Sequence, residues 1–332
     1  NGDVLNALKK LDELQLDDQG KGGYYLNMIG LLYLKLGLPD MARDVFDLAI
    51  KKDYKQAKEN YIIAALESGT LPTIGDNILN TIENQDIKEV IYKIYSIKGI
   101  EQISLQNDET KALILRYRKN EFSDEQIGNI YYSISDIKVR RTVVQDLISY
   151  YYNKSNPKII AEIIYSMKPF VENDDDKKAI NDWVGQYYLM TLDSVSIVEE
   201  SDKLTFSEKN MFLKDMLWVI KSIYTRSFDA IHEQKADSLL KAYPQVDYFA
   251  IALARYYQKV NPKKAYETLL NGYSFNPYSL PLLKAYILQT VEYGIPKFAE
   301  SALATLKTKV SKSEFLLFKQ AYEAKLKELY GN

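Results

Sequence analysis

Cysteine is absent from the 332 residues, which excludes disulfides, thiolate catalysis and zinc sites of the Cys type. A cysteine-free chain suits the cytosol and the periplasm alike, so the compartment stays open. Histidine occurs once, at position 232, and any Ser-His or His-metal mechanism would have to run through it. Glycine (14) and proline (9) are sparse. An all-β fold needs turn residues every roughly 8 to 12 positions, so the chain is expected to be nearly all helix. No run approaches the roughly 18 consecutive apolar residues of a membrane span. Asn1 to Leu16 reads as an amphipathic helix rather than a charged head followed by an apolar block, so no signal peptide is visible. The chain begins at Asn rather than Met, which leaves open a removed leader or a preceding domain. A dominant sign of charge is missing too. The 43 basic and 45 acidic residues are evenly spread and give a net charge of -2. With no global field to steer a polyanion, neither nucleic acid nor an anionic membrane is an expected partner.

What the chain has in quantity is apolar sequence at helical spacing. Leu26, Ile29, Gly30 and Tyr33 form one stripe, Ala42, Val45, Phe46 and Ala49 form another, and Gly37-Leu38-Pro39 lies between them. Small residues at 30, 42 and 49 let two helices approach to the short end of the usual spacing of about 8 to 10 Å. This helix-turn-helix resembles the tetratricopeptide repeat (TPR), whose signature is W-x-x-L-G-x-x-Y, then A-x-x-x-F, then A and P over about 34 residues. Leu26 stands where the family has Trp, and Tyr54 where it often has Pro.

The register returns near the C-terminus. Ala265 and Ala299 are 34 residues apart (299 minus 265), each followed four positions later by Leu269 or Leu303. Gly294-Ile295-Pro296-Lys297-Phe298-Ala299 echoes Gly37-Leu38-Pro39-Asp40-Met41-Ala42, and Asn276-Pro277 marks a joint between units. The resemblance covers 23–69 and 246–309. Between them, Asp76 falls where a small apolar residue is needed, and only capping-box starts such as Ser123-x-x-Gln126 punctuate a helical pattern without a repeat register. Thr205-x-x-Glu208 is read as the start of a helix through Leu213, Leu217 and Ile220. Ser311-x-x-Glu314 opens a closing helix with Phe315, Phe318, Tyr322, Leu326 and Leu329 inward and Lys312, Lys319, Lys325 and Glu328 outward, as the end of a repeat array requires. Three regions result: 1–70 with N-terminal repeats, 71–204 with divergent helical hairpins, and 205–332 with C-terminal repeats and a capping helix.

Chemical motifs are few. Gly20, Gly22 and Gly23 have no preceding strand and no following Lys-Ser/Thr, so they read as a flexible connection rather than a phosphate loop. Asp174-Asp175-Asp176 lacks the alternating ligands, turn glycine and distal Glu of a calcium loop and reads as aspartates that cap and favour the N-terminus of the following helix. His232 reads as a boundary residue, with no nucleophile elbow beside it. The basic segment Lys111 to Lys119, followed by Lys138, Arg140 and Arg141, is diluted by Glu109, Glu121, Asp124 and Asp136, and reads as a salt-bridged surface. Tyrosine is the oddity: the 28 tyrosines cluster as neighbours at 24–25, 131–132, 150–152, 187–188 and 256–257. Adjacent helical residues point about 100° apart, so one ring of each pair can pack while the other reaches a groove or solvent.

Taken together, the fold expected is all-α: antiparallel helix hairpins stacked in a right-handed α-α superhelix, a TPR-like solenoid. The resemblance implies a non-enzymatic scaffold that binds a partner protein or peptide across its concave face, with no metal and no cofactor. In TPR proteins the first helix of each hairpin lines that face, which places Tyr24, Asn27, Leu31, Leu34 and Lys35 on the groove with Lys58 and Tyr61 from the next helix. The carboxylate clamp that some members build from Lys and Asn is not matched, Leu31 standing where its first Asn would lie. A helical enzyme domain, or a lipid- or glycan-binding helical-repeat module, is the alternative.

Overall fold

A computed structural model describes residues 4–16, 21–70, 82, 84–97 and 99–331. Asp76, the segment beginning at Ile78 and Gly20 lie outside the described residues, whereas Gly22 and Gly23, expected to belong to a flexible connection, are buried in the first turn of a helix, where a methyl group on Gly23 would meet Tyr54 Cβ at 2.7 Å. Every regular element among the described residues is helical. The chain divides into two compact units, one spanning Leu5–Tyr150 and the other chiefly Tyr151–Asn332.

The first unit opens with α1 (Val4–Leu16), α2 (Gly22–Lys35), α3 (Pro39–Lys51) and α4 (Ala57–Glu67). Helices α2 and α3 pack closely along their length, and α3 packs in the same way on α4. A single contact sets the first approach. The Phe46 ring lies flat over Gly30, so that a methyl group there would meet ring carbons at 2.4 to 2.7 Å. Ala42 and Ala49 on α3 and Ala57, Ala64 and Ala65 on α4 are fully buried. Only residues without long side chains permit backbones this close.

The turn between α2 and α3 forms because Gly37 adopts φ +73°, a left-handed conformation that L side chains resist. With it, Leu38 N–H donates to Tyr33 C=O at 2.9 Å and satisfies a carbonyl left over at the helix end. Pro39 then starts α3 at a position where its missing N–H has no consequence.

The rest of this unit comprises α5 (Gln85–Ser96), α6 (Ile100–Ser104), α7 (Asp108–Arg118), α8 (Asp124–Tyr132) and α9 (Ile137–Arg141), followed by α10 (Val144–Asn153) at the boundary. Ser123 and Gln126 form the expected capping box at α8. Arg116, Arg118 and Arg140 of the basic segment are engaged within the unit. Arg116 bonds Asp146 at 2.9 Å and Thr142 C=O at 2.8 Å, Arg118 bonds Glu121 and the Ile97 carbonyl, and Arg140 bonds Ile134 C=O.

The second unit contains α11 (Pro157–Met167), α12 (Asp174–Thr191), α13 (Ser194–Glu199), α14 (Phe212–Tyr224) and α15 (Ala230–Ala242). It continues with α16 (Asp247–Val260), α17 (Pro262–Phe275), α18 (Leu280–Glu292), α19 (Ala299–Lys309) and α20 (Lys312–Tyr330). Helices α16 to α19 pack in chain order. Gly294 repeats the Gly37 turn, with φ +87° and Ile295 N–H donating to Thr290 C=O at 2.9 Å. Ala265 and Ala299, the two residues that carry the 34-residue register, are both fully buried.

Three expectations change. Thr205 does not cap a helix; it accepts the Asn181 side-chain amide through its carbonyl and hydroxyl. The chain there is organised instead by buried Asp182, which takes Ser207 Oγ–H at 2.6 Å, Ser207 N–H at 3.0 Å and the Asn210 amide at 2.9 Å, and α14 begins only at Phe212. The triple aspartate is capped by Asn173, whose side chain accepts Asp176 N–H, so the aspartates fill the first turn rather than the cap. On α20, Tyr322 is buried as expected, but Lys325 turns to Glu292 on α18 at 3.1 Å and Leu329 is exposed. A long lysine stem packs well on an apolar neighbour while its ammonium reaches a carboxylate, which apolar periodicity alone does not reveal.

One buried acid has a measurable consequence. Asp247, in the first turn of α16, accepts the Ser279 hydroxyl, and the Tyr152 phenol lies beside it. Burial pushes its carboxyl up to about 6 from an ordinary 3.8, partly opposed by the Ser279 bond. The folded state therefore keeps a proton that the unfolded state releases, and the associated stability, full below the ordinary value, is lost as pH rises toward 6. Asp247→Asn is expected to melt above the parent at about pH 7.5 and to lose that advantage at about pH 4. Thermal melts at both values check this, and a pH-independent difference contradicts it. For the close approach in the first unit, Gly30→Ala is expected to cost about 1 to 3 kcal/mol by overpacking. Gly128→Ala on α8, where the space around an added methyl is open, should instead stabilise by roughly 0.5 to 1 kcal/mol through helix propensity. Chemical denaturation of the two variants separates packing from propensity.

Candidate interaction surface

Helix α2 buries Leu26, Ile29 and Gly30 and leaves the opposite side open. On that side Tyr24 is 45% exposed, Met28 38% and Leu31 38%. Their spacing of four and then three residues places them one above another in a single apolar row. Tyr24 is held at the start of the row by edge contacts with the Tyr25 ring at 5.5 Å and the Tyr54 ring at 6.1 Å. Lys35 is exposed at the far end of the helix. Leu34 is half-buried, turned partly into the packing.

Asn27 behaves differently from its neighbours. It is only 6% exposed, and its carbonyl oxygen accepts the Asn60 amide at 2.8 Å. This bond joins α2 to α4, so Asn27 fixes the relation of the two helices instead of presenting a free amide. Lys58 and Tyr61, both half-buried, lie on α4, and the Tyr61 phenol is within electrostatic reach of Lys51 at the end of α3. The structure thus gathers Tyr24, Leu31 and Lys35 on one open face and ties Asn27 beneath it to the next helix. Met28 belongs to the row although the family pattern did not select it, and its spacing from Tyr24 and Leu31 was the available signal.

The tyrosine pairs divide as their 100° offset implies. Tyr131 is buried beside exposed Tyr132, and Tyr188 and Tyr257 are buried beside half-buried Tyr187 and Tyr256. His232, on α15, is more firmly placed than a boundary residue need be. Its ring stacks on Trp218 at 4.1 Å, and Nδ1 lies 2.7 Å from Asp229 Oδ1. Asp229 also accepts the Ile231 and His232 N–H groups as the α15 cap, and the bond to the His232 side chain leads in holding its carboxyl below the ordinary value. Among the described residues, no group of three or more His, Asp and Glu could hold a metal ion, and no helix is long and apolar enough to cross a membrane.

The chain matches no protein-family model, no curated protein and no solved structure. Its functional reading therefore rests on the chemistry of its own surfaces.

Two substitutions separate the open row from the tie beneath it. Asn60→Ala leaves the buried Asn27 oxygen without its donor and is expected to cost about 1 to 3 kcal/mol. Leu31→Gln replaces an exposed side chain and should stay within about 0.5 kcal/mol of the parent. Urea titration measures both, and comparable losses would contradict the assignment of Leu31 to an open face.

Proposed function

We propose that this chain is a non-enzymatic interaction scaffold of the TPR-like type, which receives a partner protein or peptide on the open face of α2 with contributions from α4. The observation that carries the reading is the exposed apolar row Tyr24, Met28 and Leu31 on a helix whose other side buries Leu26, Ile29 and Gly30. Side chains that the fold does not need for its core, lined up at helical spacing and bordered by Lys35, suit a segment with apolar anchors at matching intervals and an acidic flank. Tyrosine at the head of the row adds a rigid ring of the kind that dominates binding energy at interfaces. The short hairpins, the glycine turns at 37 and 294 and the 34-residue spacing of Ala265 and Ala299 support the family resemblance. His232 is engaged by Asp229 and stacked on Trp218, which supports a structural part for it rather than a catalytic one. No nucleic acid, metal or cofactor belongs to this reading.

The test begins with a partner recovered by the intact chain from its native lysate and identified by mass spectrometry. Calorimetric titration of that partner against Tyr24→Ala and Leu31→Gln should show affinity reduced at least tenfold, since aromatic anchors contribute on the order of 2 kcal/mol each. Circular dichroism must show the helices intact. Unchanged affinity in both variants would remove α2 as the docking face.

A further inference from the structure

A second, chemically different surface lies in the C-terminal unit, where the loop before α15 meets the last turn of α16. A recess of about 290 Å³ opens there, close to the lower end of the roughly 300 to 1,000 Å³ that small-ligand pockets occupy. Its walls include Phe228, Tyr256 and Tyr257. The Phe228 ring lies 4.7 Å from Tyr256 and 6.4 Å from Tyr257, and the two tyrosine rings are 5.4 Å apart. The three are inclined to one another by 51°, 84° and 52°. Rings inclined in this way cannot stack flush, and they leave a corner of aromatic surface.

Two carboxylates, Asp229 and Glu233, line the same recess. The end of a 14-residue helix, from Tyr256 to Val260, lines it together with the starts of α15 at Asp229 and α17 at Asn261, so helix ends of both signs meet there. The protein already seats one ammonium at this corner. Lys264 Nζ lies 2.6 Å from Glu233, 3.1 Å from Asp237 and 4.7 Å from the centre of the Tyr257 ring. Burial acts to lower the pKa of Lys264, but its bonds to Glu233 and Asp237 outweigh this and raise it. With that one cation set against Asp229 and Glu233, which line the recess, and Asp237 beside Lys264, negative charge remains in excess. The Lys264 ammonium stands over the Tyr257 ring and also acts on its buried hydroxyl.

We propose that this recess is a binding site for an alkylated ammonium group. Aromatic faces attract a cation through their quadrupole, and they do so best when the cation is poorly hydrated, as a methylated ammonium is. Carboxylates add attraction without requiring an N–H donor on the ligand. An uncharged group of the same shape would gain only the apolar contact. An anion would be repelled. The chemistry is shared by a free quaternary amine and by a methylated lysine side chain, and it does not depend on the face of α2.

Isothermal titration of the full chain with choline, and in parallel with its uncharged isostere 3,3-dimethylbutan-1-ol at matched ionic strength, tests the proposal. Choline should bind saturably and the isostere at least tenfold more weakly. A short peptide bearing trimethyllysine distinguishes the sources, since tighter binding than choline assigns the site to a modified chain and weaker binding to a free amine. Tyr256→Leu keeps bulk but removes the ring, and should weaken the cation at least fivefold while leaving the isostere unchanged. Phe228→Leu provides the same comparison if the first variant loses its helical circular dichroism. Equal binding of choline and isostere, undiminished choline binding by a folded ring variant, or no saturable response to either cation overturns the proposal.

Discussion

The contact on which the N-terminal hairpins depend is the Phe46 ring resting on Gly30. A ring laid on bare backbone brings α2 and α3 together at one place, and the buried alanines at 42 and 49 allow the same closeness along the rest of the seam. That closeness decides which sides of α2 are covered. Leu26 and Ile29 are enclosed with the glycine, and Tyr24, Met28 and Leu31 are left outside. The open row is therefore a consequence of the seam: a helix with apolar residues around much of its circumference is covered on only one side.

A second layer of control comes from polar side chains that bind backbone or one another beneath the surface. The Asn27 and Asn60 amides join α2 to α4, Arg118 reaches the carbonyl that follows α5, Asp182 gathers the approach to α14, and Asp247 meets Ser279 between α16 and α18. A buried polar group without a partner is expensive, so each of these bonds favours one arrangement over its neighbours more than it adds net stability. Asp247 illustrates the compromise, since its hydrogen bond is retained while burial raises its carboxyl toward 6.

Much of the architecture was legible from local rules. The turns at Gly37 and Gly294, the stop at Gly69 and the capping box at Ser123 all follow from left-handed glycine geometry or from unsatisfied helix ends, which are properties of a few adjacent residues. Alanine spacing located the close seams for a similar reason. What escaped were contacts between residues distant in sequence. Nothing in Thr205-x-x-Glu208 announces that Asp182 will take the amides and hydroxyl nearby, and nothing in the periodicity of α20 says that Lys325 will turn to Glu292. On the candidate face, family geometry selected Tyr24, Leu31 and Lys35, which are exposed, but it treated Asn27 as a free amide because its partner stands 33 residues away. Met28 was passed over because the family pattern, rather than the row itself, guided the choice.

The function proposed here needs only what the seam leaves uncovered: an apolar row on a helix held firmly from behind and bordered by positive charge. Its most direct test is hydrogen–deuterium exchange of the intact chain with and without the partner it captures. The account predicts slowed exchange concentrated in Gly22–Lys35, with a smaller effect in Ala57–Glu67 transmitted through the amide pair that joins them. Protection that spares both helices and falls elsewhere in the chain would contradict it.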